Sequence, residues 1–299
     1  MHWNVDPIIF SIGGFGLRYY PLMFILGISL GYMYVRKRLE KNGMTKEHAE
    51  SMQNYIIAGM IIGARLGHCL FYDPEYYLSN PLEIIKVWKG GLASHGGFLG
   101  VLFAIYLFSR KWREKPYFWF IESILPPTVM TAGFIRLGNL FNSEILGKVT
   151  DVPWAFTFTG ENTPVPHLPR HPAQLYESIA FFSIAFLLHI LWKRNVETGK
   201  WHLGKGLGLT FILTFSARFL IEFLKIEQSD FEKGMILNMG QILSIPFVLV
   251  GAYLFFVNIE KIKGFDFLTK VKAKQKIKTT VKSKPKVTKN KKNRKKKRK

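Results

Sequence analysis

The amino-acid sequence predicts an all-α membrane protein with seven transmembrane helices, an outward amino terminus and a cytoplasmic carboxyl terminus. Three observations predict it. Seven apolar runs of 17 to 20 residues recur along the 299-residue chain, each long enough to cross a bilayer core as a helix. The connections alternate between rich and poor in Lys and Arg, which sets orientation. The polar residues that interrupt or border the runs gather at one end of their spans, where a membrane protein would build a site.

The first run, 19–35, opens on Tyr20 and is followed by Arg36, Lys37, Arg38 and Lys41, so its far end faces the cytoplasm. Met1–Leu17 lacks the basic start and apolar core of a cleaved leader, which leaves the first run as the insertion signal. The second run, 55–72, carries Arg65 in its outer half, and 73–91, with Tyr76, Tyr77, Pro81 and Trp88, reads as an interfacial piece with aromatic anchors. The third, 92–108, has His95 near its start and Arg110, Lys111, Arg113 and Lys115 after it. The fourth, 117–135, leads into Arg136, Asn139, Asn142 and Glu144. From about 143 to 171 the chain carries Pro153, Pro164, Pro166 and Pro169 together with Trp154, Phe156 and Phe158, and it is expected to form a small extracytoplasmic lobe. The fifth run, 173–192, is opened by His171, Gln174, Tyr176 and Glu177 and closed by Lys193 and Arg194. The sixth, 206–225, holds Arg218 and Glu222 late, four residues apart on one helix face and able to pair. The seventh, 240–257, opens on Gln241.

Charge divides the chain into two parts. The net charge is +22, yet residues 260–299 hold 19 Lys and Arg against two acids, a surplus of 17 that leaves +5 for the first 259. Residues 1–259 therefore form the membrane domain, and 260–299 a disordered basic cytoplasmic tail. Such a tail favours anionic lipid heads by about 1 kcal/mol per basic residue near the surface; no nucleic-acid partner is expected. The single cysteine, Cys69, excludes an internal disulfide and reads as a packing residue.

The polar set limits the chemistry. No cluster of Cys, His and carboxylates suggests a metal. No Gly-x-Ser-x-Gly elbow or Gly-rich phosphate loop is present. Several arginines, a histidine, tyrosines and amides remain. Arginine binds phosphate through two parallel hydrogen bonds, and histidine accepts a proton near neutral pH. The set suits a phospholipid whose phosphate is held, or leaves, while a second substrate's nucleophile is activated. A lipid or anion permease would also use intramembrane arginines, but it predicts polar residues through the full depth or an inverted repeat. An intramembrane protease would want a serine or paired aspartates within the spans.

The segment His95-Gly96-Gly97-Phe98-Leu99-Gly100 resembles the His-Gly-Gly-x-x-Gly segment of the prolipoprotein diacylglyceryl transferases. Arg136-Leu137-Gly138-Asn139-Leu140-Phe141-Asn142-Ser143-Glu144 resembles that family's Gly-Arg-x-Gly-Asn-Phe-x-Asn-x-Glu signature, with Ile135 in place of its first Gly. Further matches are Asp6-Pro7-Ile8-Ile9-Phe10, Gly63-Ala64-Arg65-Leu66-Gly67, the segment from Arg170 to Glu177, Arg218 with Glu222, and the segment from Met239 to Ser244. The chain departs at Pro21, Ile135, Thr214 and Lys225, the last standing where the family often has arginine.

The resemblance implies transfer of the diacylglyceryl group of phosphatidylglycerol to the thiol of the lipobox cysteine of a prolipoprotein signal peptide. The products are a thioether and glycerol phosphate, made in the bacterial cytoplasmic (inner) membrane at a site toward the outer leaflet, with no cofactor. His95, Arg136 and Arg218 are the implied catalytic residues. Arg136, Tyr20, Asn139, Glu144, Glu222, Arg65, His171, Gln174 and Tyr176 are the expected substrate-binding residues. His95 is either the base that takes the thiol proton or a binder of the lipid head. Expected partners are phosphatidylglycerol, prolipoprotein signal peptides and membrane lipids.

Overall fold

The computed structural model describes residues 1–160, 167–227, 232, 234–264 and 266–269. The tail from residue 270 onward and the Pro164 and Pro166 of the expected lobe lie outside these.

Long helices coincide with all seven apolar runs. They are α1 (Tyr19–Lys41), α2 (Lys46–Phe71), α5 (Ser94–Lys111), α6 (Tyr117–Phe141), α7 (Ala173–Leu191), α8 (Lys205–Glu222) and α9 (Met239–Phe256). Helix α2 begins earlier than its run, and α1 and α6 extend past theirs. Two short helices, α3 (Pro74–Ser79) and α4 (Pro81–Ile84), lie between α2 and α5. A last turn, α10, spans Asp266–Thr269. Among the described residues, four helices are long and apolar enough to cross a membrane by length and composition: Lys46–Phe71, Tyr117–Phe141, Ala173–Val196 and Met239–Phe256.

The fold is largely helical rather than wholly so. Strands β2 (Ile8–Ile12) and β3 (Phe15–Arg18) form an antiparallel hairpin ahead of α1. Strand β1 (His2–Trp3) runs parallel to β4 (Phe156–Phe158), which pairs antiparallel with β5 (Pro169–Arg170). The amino-terminal ammonium donates to the Ala155 carbonyl at 2.7 Å. The amino terminus is thus built into the segment between α6 and α7, where Trp3 stacks on Phe156. Strands this short carry too few residues to show a period of two in the sequence.

Helices α1 and α6 pack antiparallel, as do α2 and α5. The second pair is the closer, because glycines face glycines. Gly59, Gly63 and Gly67 lie against Gly96, Gly100 and Ala104, and a Cβ added at Gly63 or Gly100 would land on a carbonyl oxygen of the other helix. The glycines beside His95 therefore admit α2, and their packing fixes the first turn of α5.

The main core is at the end of the bundle where α1 turns into α2. Leu39, Met52, Ile105, Phe108, Phe120 and Ile121 are buried there. The expectation that polar residues gather at one end of their spans needs correction at this end. Pro126 and Pro127 lie inside α6 and have no N–H, so the carbonyls of Glu122 and Ser123 lose their helical donors. Arg38 supplies replacements: its Nη1 donates to Ser123 O at 2.7 Å and to Glu122 O at 3.5 Å. Its guanidinium also lies 3.5 Å from the Trp192 ring centroid. Arg38 is buried, not a free loop cation as its place after the first run suggested. Glu122 is fully buried too, and its Oε1 accepts the N–H groups of Gly204 at 2.9 Å and Gly206 at 2.8 Å, capping α8 from a neighbouring helix.

Replacing Arg38 with Met should lower stability by about 2–4 kcal/mol, since two buried carbonyls lose their donor. Arg38→Lys should recover part of this. Thermal unfolding in detergent measures both, and an unchanged midpoint for Arg38→Met would contradict the replacement role.

Candidate active site

At the other end of α6, the helix finishes on the stripe Arg136, Asn139 and Asn142, three residues apart and on one face. Arg136 Nη1 donates to Asn139 Oδ1 at 3.1 Å. Asn139 Nδ2 donates to Glu144 Oε1 at 2.7 Å, and Asn142 Nδ2 to the same oxygen at 3.3 Å. The turn that brings Glu144 back to α6 is strained. Ser143 and Ile145, on either side of it, have φ of 53° and 59°. This left-handed conformation is costly for a β-branched residue and is retained at sites where surroundings enforce it. Gln174, in the first turn of α7, donates Nε2 to the Glu144 carbonyl at 2.6 Å and helps to hold the turn.

A second chain of charges runs from Arg136 through the interior. Its Nε lies 3.0 Å from Glu177 Oε2. The pair is close, but Glu177 Oε2 makes no aligned hydrogen bond among the described residues. Glu177 Oε1 accepts from Lys225 Nζ at 2.9 Å, and Lys225 also donates to Glu222 Oε2 at 3.0 Å. Glu222 Oε1 then accepts from Asn238 Nδ2 at 3.3 Å. Glu177, Lys225 and Glu222 are all buried. Buried carboxylates stay charged only when cations and donors replace their water, and here Lys225 does so for two at once.

The local chain path explains why Lys225 serves. Helix α8 ends at Glu222, and residues 224–226 cross to the segment after α6. Lys148 N donates to Leu224 O at 2.7 Å and Ile226 N to Leu146 O at 3.2 Å. That bridge turns Lys225 inward. Asn238 caps α9 through a reciprocal pair with Gln241: its Oδ1 accepts Gln241 N at 3.0 Å, and Gln241 Oε1 accepts Asn238 N at 3.1 Å.

The structure corrects one expected pair. Glu222 is taken by Lys225 and Asn238, and among the described residues Arg218 makes no ion pair or hydrogen bond. Arg218 is half-buried on the last turns of α8. Tyr20 joins the group by packing, since its ring lies against Gly138, where a Cβ would stand 2.8 Å from Cδ2.

The other expected residues form separate groups. His171 Nδ1 lies 3.2 Å from the Tyr176 hydroxyl, which accepts from Trp154 Nε1 at 2.7 Å. His95 is exposed at the start of α5, with its ring edge-on to Phe71 at 5.5 Å and against Tyr72 at 6.0 Å. Arg65 is buried and fully engaged with backbone. It donates to the carbonyls of Glu83 at 2.6 Å, Ile84 at 2.9 Å, Gly90 at 2.5 Å and Gly91 at 3.2 Å. It therefore ties the 73–91 segment to α2. In that segment, hydrogen bonds from Lys86 and Lys89 hold the Glu83 carboxyl well below the usual carboxylate range.

Glu177 was expected at this end of the bundle but with no assigned role, and Lys225 and Asn238 were not among the expected site residues. Glu177 lies in the matched segment from Arg170, four residues before the buried Phe181. Its signal was a carboxylate near the start of an apolar span. Lys225 gave no such signal, because it follows the helix and a basic residue there reads as an anchor.

Comparison with known proteins matches residues 7–257 to the family model described as prolipoprotein diacylglyceryl transferase. A phosphatidylglycerol--prolipoprotein diacylglyceryl transferase of Chloroherpeton thalassium is 47% identical over 262 residues, which cover 87% of this chain and 94% of that one. A protein of the same name from Tolumonas auensis is 42% identical over 261 residues, covering 87% and 98%. One from Bacteroides fragilis is 44% identical over 268 residues, covering 86% and 94%.

Lys225→Met should lower stability by about 3–5 kcal/mol, because Glu177 and Glu222 lose their shared cation in a buried place. Adding Glu222→Gln should recover part of the loss, since one stranded charge is removed. Denaturation in detergent tests this, and equal stability of wild type and Lys225→Met would contradict the charge chain.

Proposed function

The chain belongs to the prolipoprotein diacylglyceryl transferase family, and from that premise we propose that it transfers the diacylglyceryl group of phosphatidylglycerol to the thiol of a lipobox cysteine. It is a multi-pass membrane transferase. In this reading all seven long helices span the bacterial inner membrane with the amino terminus outside. The polar end of the bundle meets the outer leaflet, beneath a lobe of residues 143–171. The Lys-rich tail has affinity for the anionic heads of the cytoplasmic leaflet.

One observation carries the reading. Arg136 is gripped from one side by Asn139 and Glu177, while its Nη2 and the whole of Arg218 have no hydrogen bond or ion pair among the described residues. A held arginine and a second cation, both with spare donors, suit a phosphate, which takes paired N–H bonds. The reaction follows from that placement. The cysteine thiol, with a pKa of about 8.5, gives its proton to a base, and His95 is the group we assign. The thiolate sulfur attacks the glycerol carbon attached to the phosphate oxygen. The C–S bond forms, the C–O bond breaks, and its electron pair leaves with glycerol phosphate. Arg136 and Arg218 stabilise the charge that develops on the leaving phosphate. Tyr20, Asn139, Glu144 and Gln174 line or hold the site.

Purified protein in detergent, given phosphatidylglycerol and a lipobox peptide, should release glycerol phosphate and add a diacylglyceryl mass to the peptide. The adduct should require the peptide cysteine. Arg136→Ala should lower turnover by about 100-fold or more, the scale of a lost charge-stabilising donor. His95→Gln should lower it by about 100-fold through loss of the base. Transfer without the peptide cysteine, or full activity in a folded Arg136→Ala, would contradict the mechanism.

A further inference from the structure

A slender cavity of about 340 Å³ runs along the bundle between α1, α2 and α6, with Val101 of α5 on its wall. On α6 its wall extends from Ile124 to Ile135, on α1 from Phe24 to Val35, and on α2 from Ala49 to Met60. Eleven residues of helix amount to roughly 16 Å of depth. The upper limit, Ile135, is the residue before Arg136. The floor is the buried cluster that includes Leu39, Met52 and Leu125. The walls are apolar apart from Tyr32, Gln53, Thr128 and Thr131. Helix α1 packs along α6 and α2 along α5, while α1 and α2 touch over a short stretch, which leaves the slot between the two pairs.

Three features identify the occupant. The depth is close to about 15 Å, half of a bilayer's hydrocarbon core and so the reach of one leaflet's chains. Its walls are mostly apolar side chains drawn from four helices, which suits a hydrocarbon chain. The slot begins beside the arginine assigned to the phosphate.

Resting on the transferase reading, we propose that this slot takes one of the donor lipid's two acyl chains and gauges its length, with Thr128 and Gln53 as the specificity-determining positions. Thr128 lies seven residues below Ile135 on α6, roughly 10 Å down the slot. It is exposed within the wall, so a larger side chain there enters the slot without repacking the core. Gln53 faces the slot from α2, seven residues from Met60. A chain longer than the remaining depth must leave methylenes outside or bend, and each methylene kept from an apolar site weakens binding.

The test is competition between phosphatidylglycerols carrying two eighteen-carbon or two ten-carbon chains. Lipid retained by the full-length protein in detergent is read by native mass spectrometry. Wild type should retain the long-chain lipid in preference. Thr128→Phe should lower the long-to-short ratio by about tenfold or more, and Gln53→Trp should move it the same way from the opposite wall. Thr128→Val should keep the wild-type ratio. Because the readout is a ratio, partial loss of folded protein does not imitate it. An unchanged ratio in both large variants would overturn the gauge. If the variants shift the ratio while wild type transfers nothing to a lipobox peptide, the slot stands and the transferase reading falls.

Discussion

A lysine shared by two buried glutamates, with an arginine on the far side of one of them, sets the geometry at the polar end of this bundle. Glu177 comes from α7, Glu222 from α8, Lys225 from the chain just beyond α8, and Arg136 from α6. None of these charges is stable in an apolar bundle alone, since each loses its hydration on burial. Together they hold three helix ends at fixed distances. Arg136 is oriented because its neighbours are, and the donors it does not use point to a ligand outside the chain.

The two ends of the bundle solve different problems. At the core end, prolines in α6 remove two donors, and Arg38 restores them from α1. Arg38 is taken by those carbonyls, Glu122 caps α8, and both are buried. At the other end, Arg136 Nη2 has no partner among the described residues and His95 lies exposed on α5. The glycine contact between α2 and α5 connects the two themes, because it places His95 while leaving α2 apart from α1 over much of its length. The acyl slot is that separation.

The sequence showed the long helices plainly, because runs of 17 to 20 apolar residues have few alternatives. The stripe of Arg136, Asn139 and Glu144 was legible for the same reason, as polar groups at a span's end. The sheets were not, since β1 and β5 have two residues each and β1 pairs with β4, His2 with Thr157, across more than 100 positions of chain. Partner choice was the least legible. Arg218 and Glu222 have the spacing of a helical pair, yet the strand-like bridge after α8 brings Lys225 to Glu222 instead. Arg65 likewise reads as a site cation by its depth, and only the path of residues 83–91 shows that carbonyls occupy it. Spacing on one helix identifies possible contacts, while the competing element is distant in sequence.

The most direct measurement is a double-mutant cycle on kcat/KM for transfer, combining Glu177→Gln with Arg136→Lys. If Glu177 acts by holding Arg136, the two losses should fall short of adding, with a coupling of about 1 kcal/mol or more, within the range for residues in contact. Losses that add to within about 0.5 kcal/mol would mean that the carboxylate does not orient the arginine, and the central claim would fail.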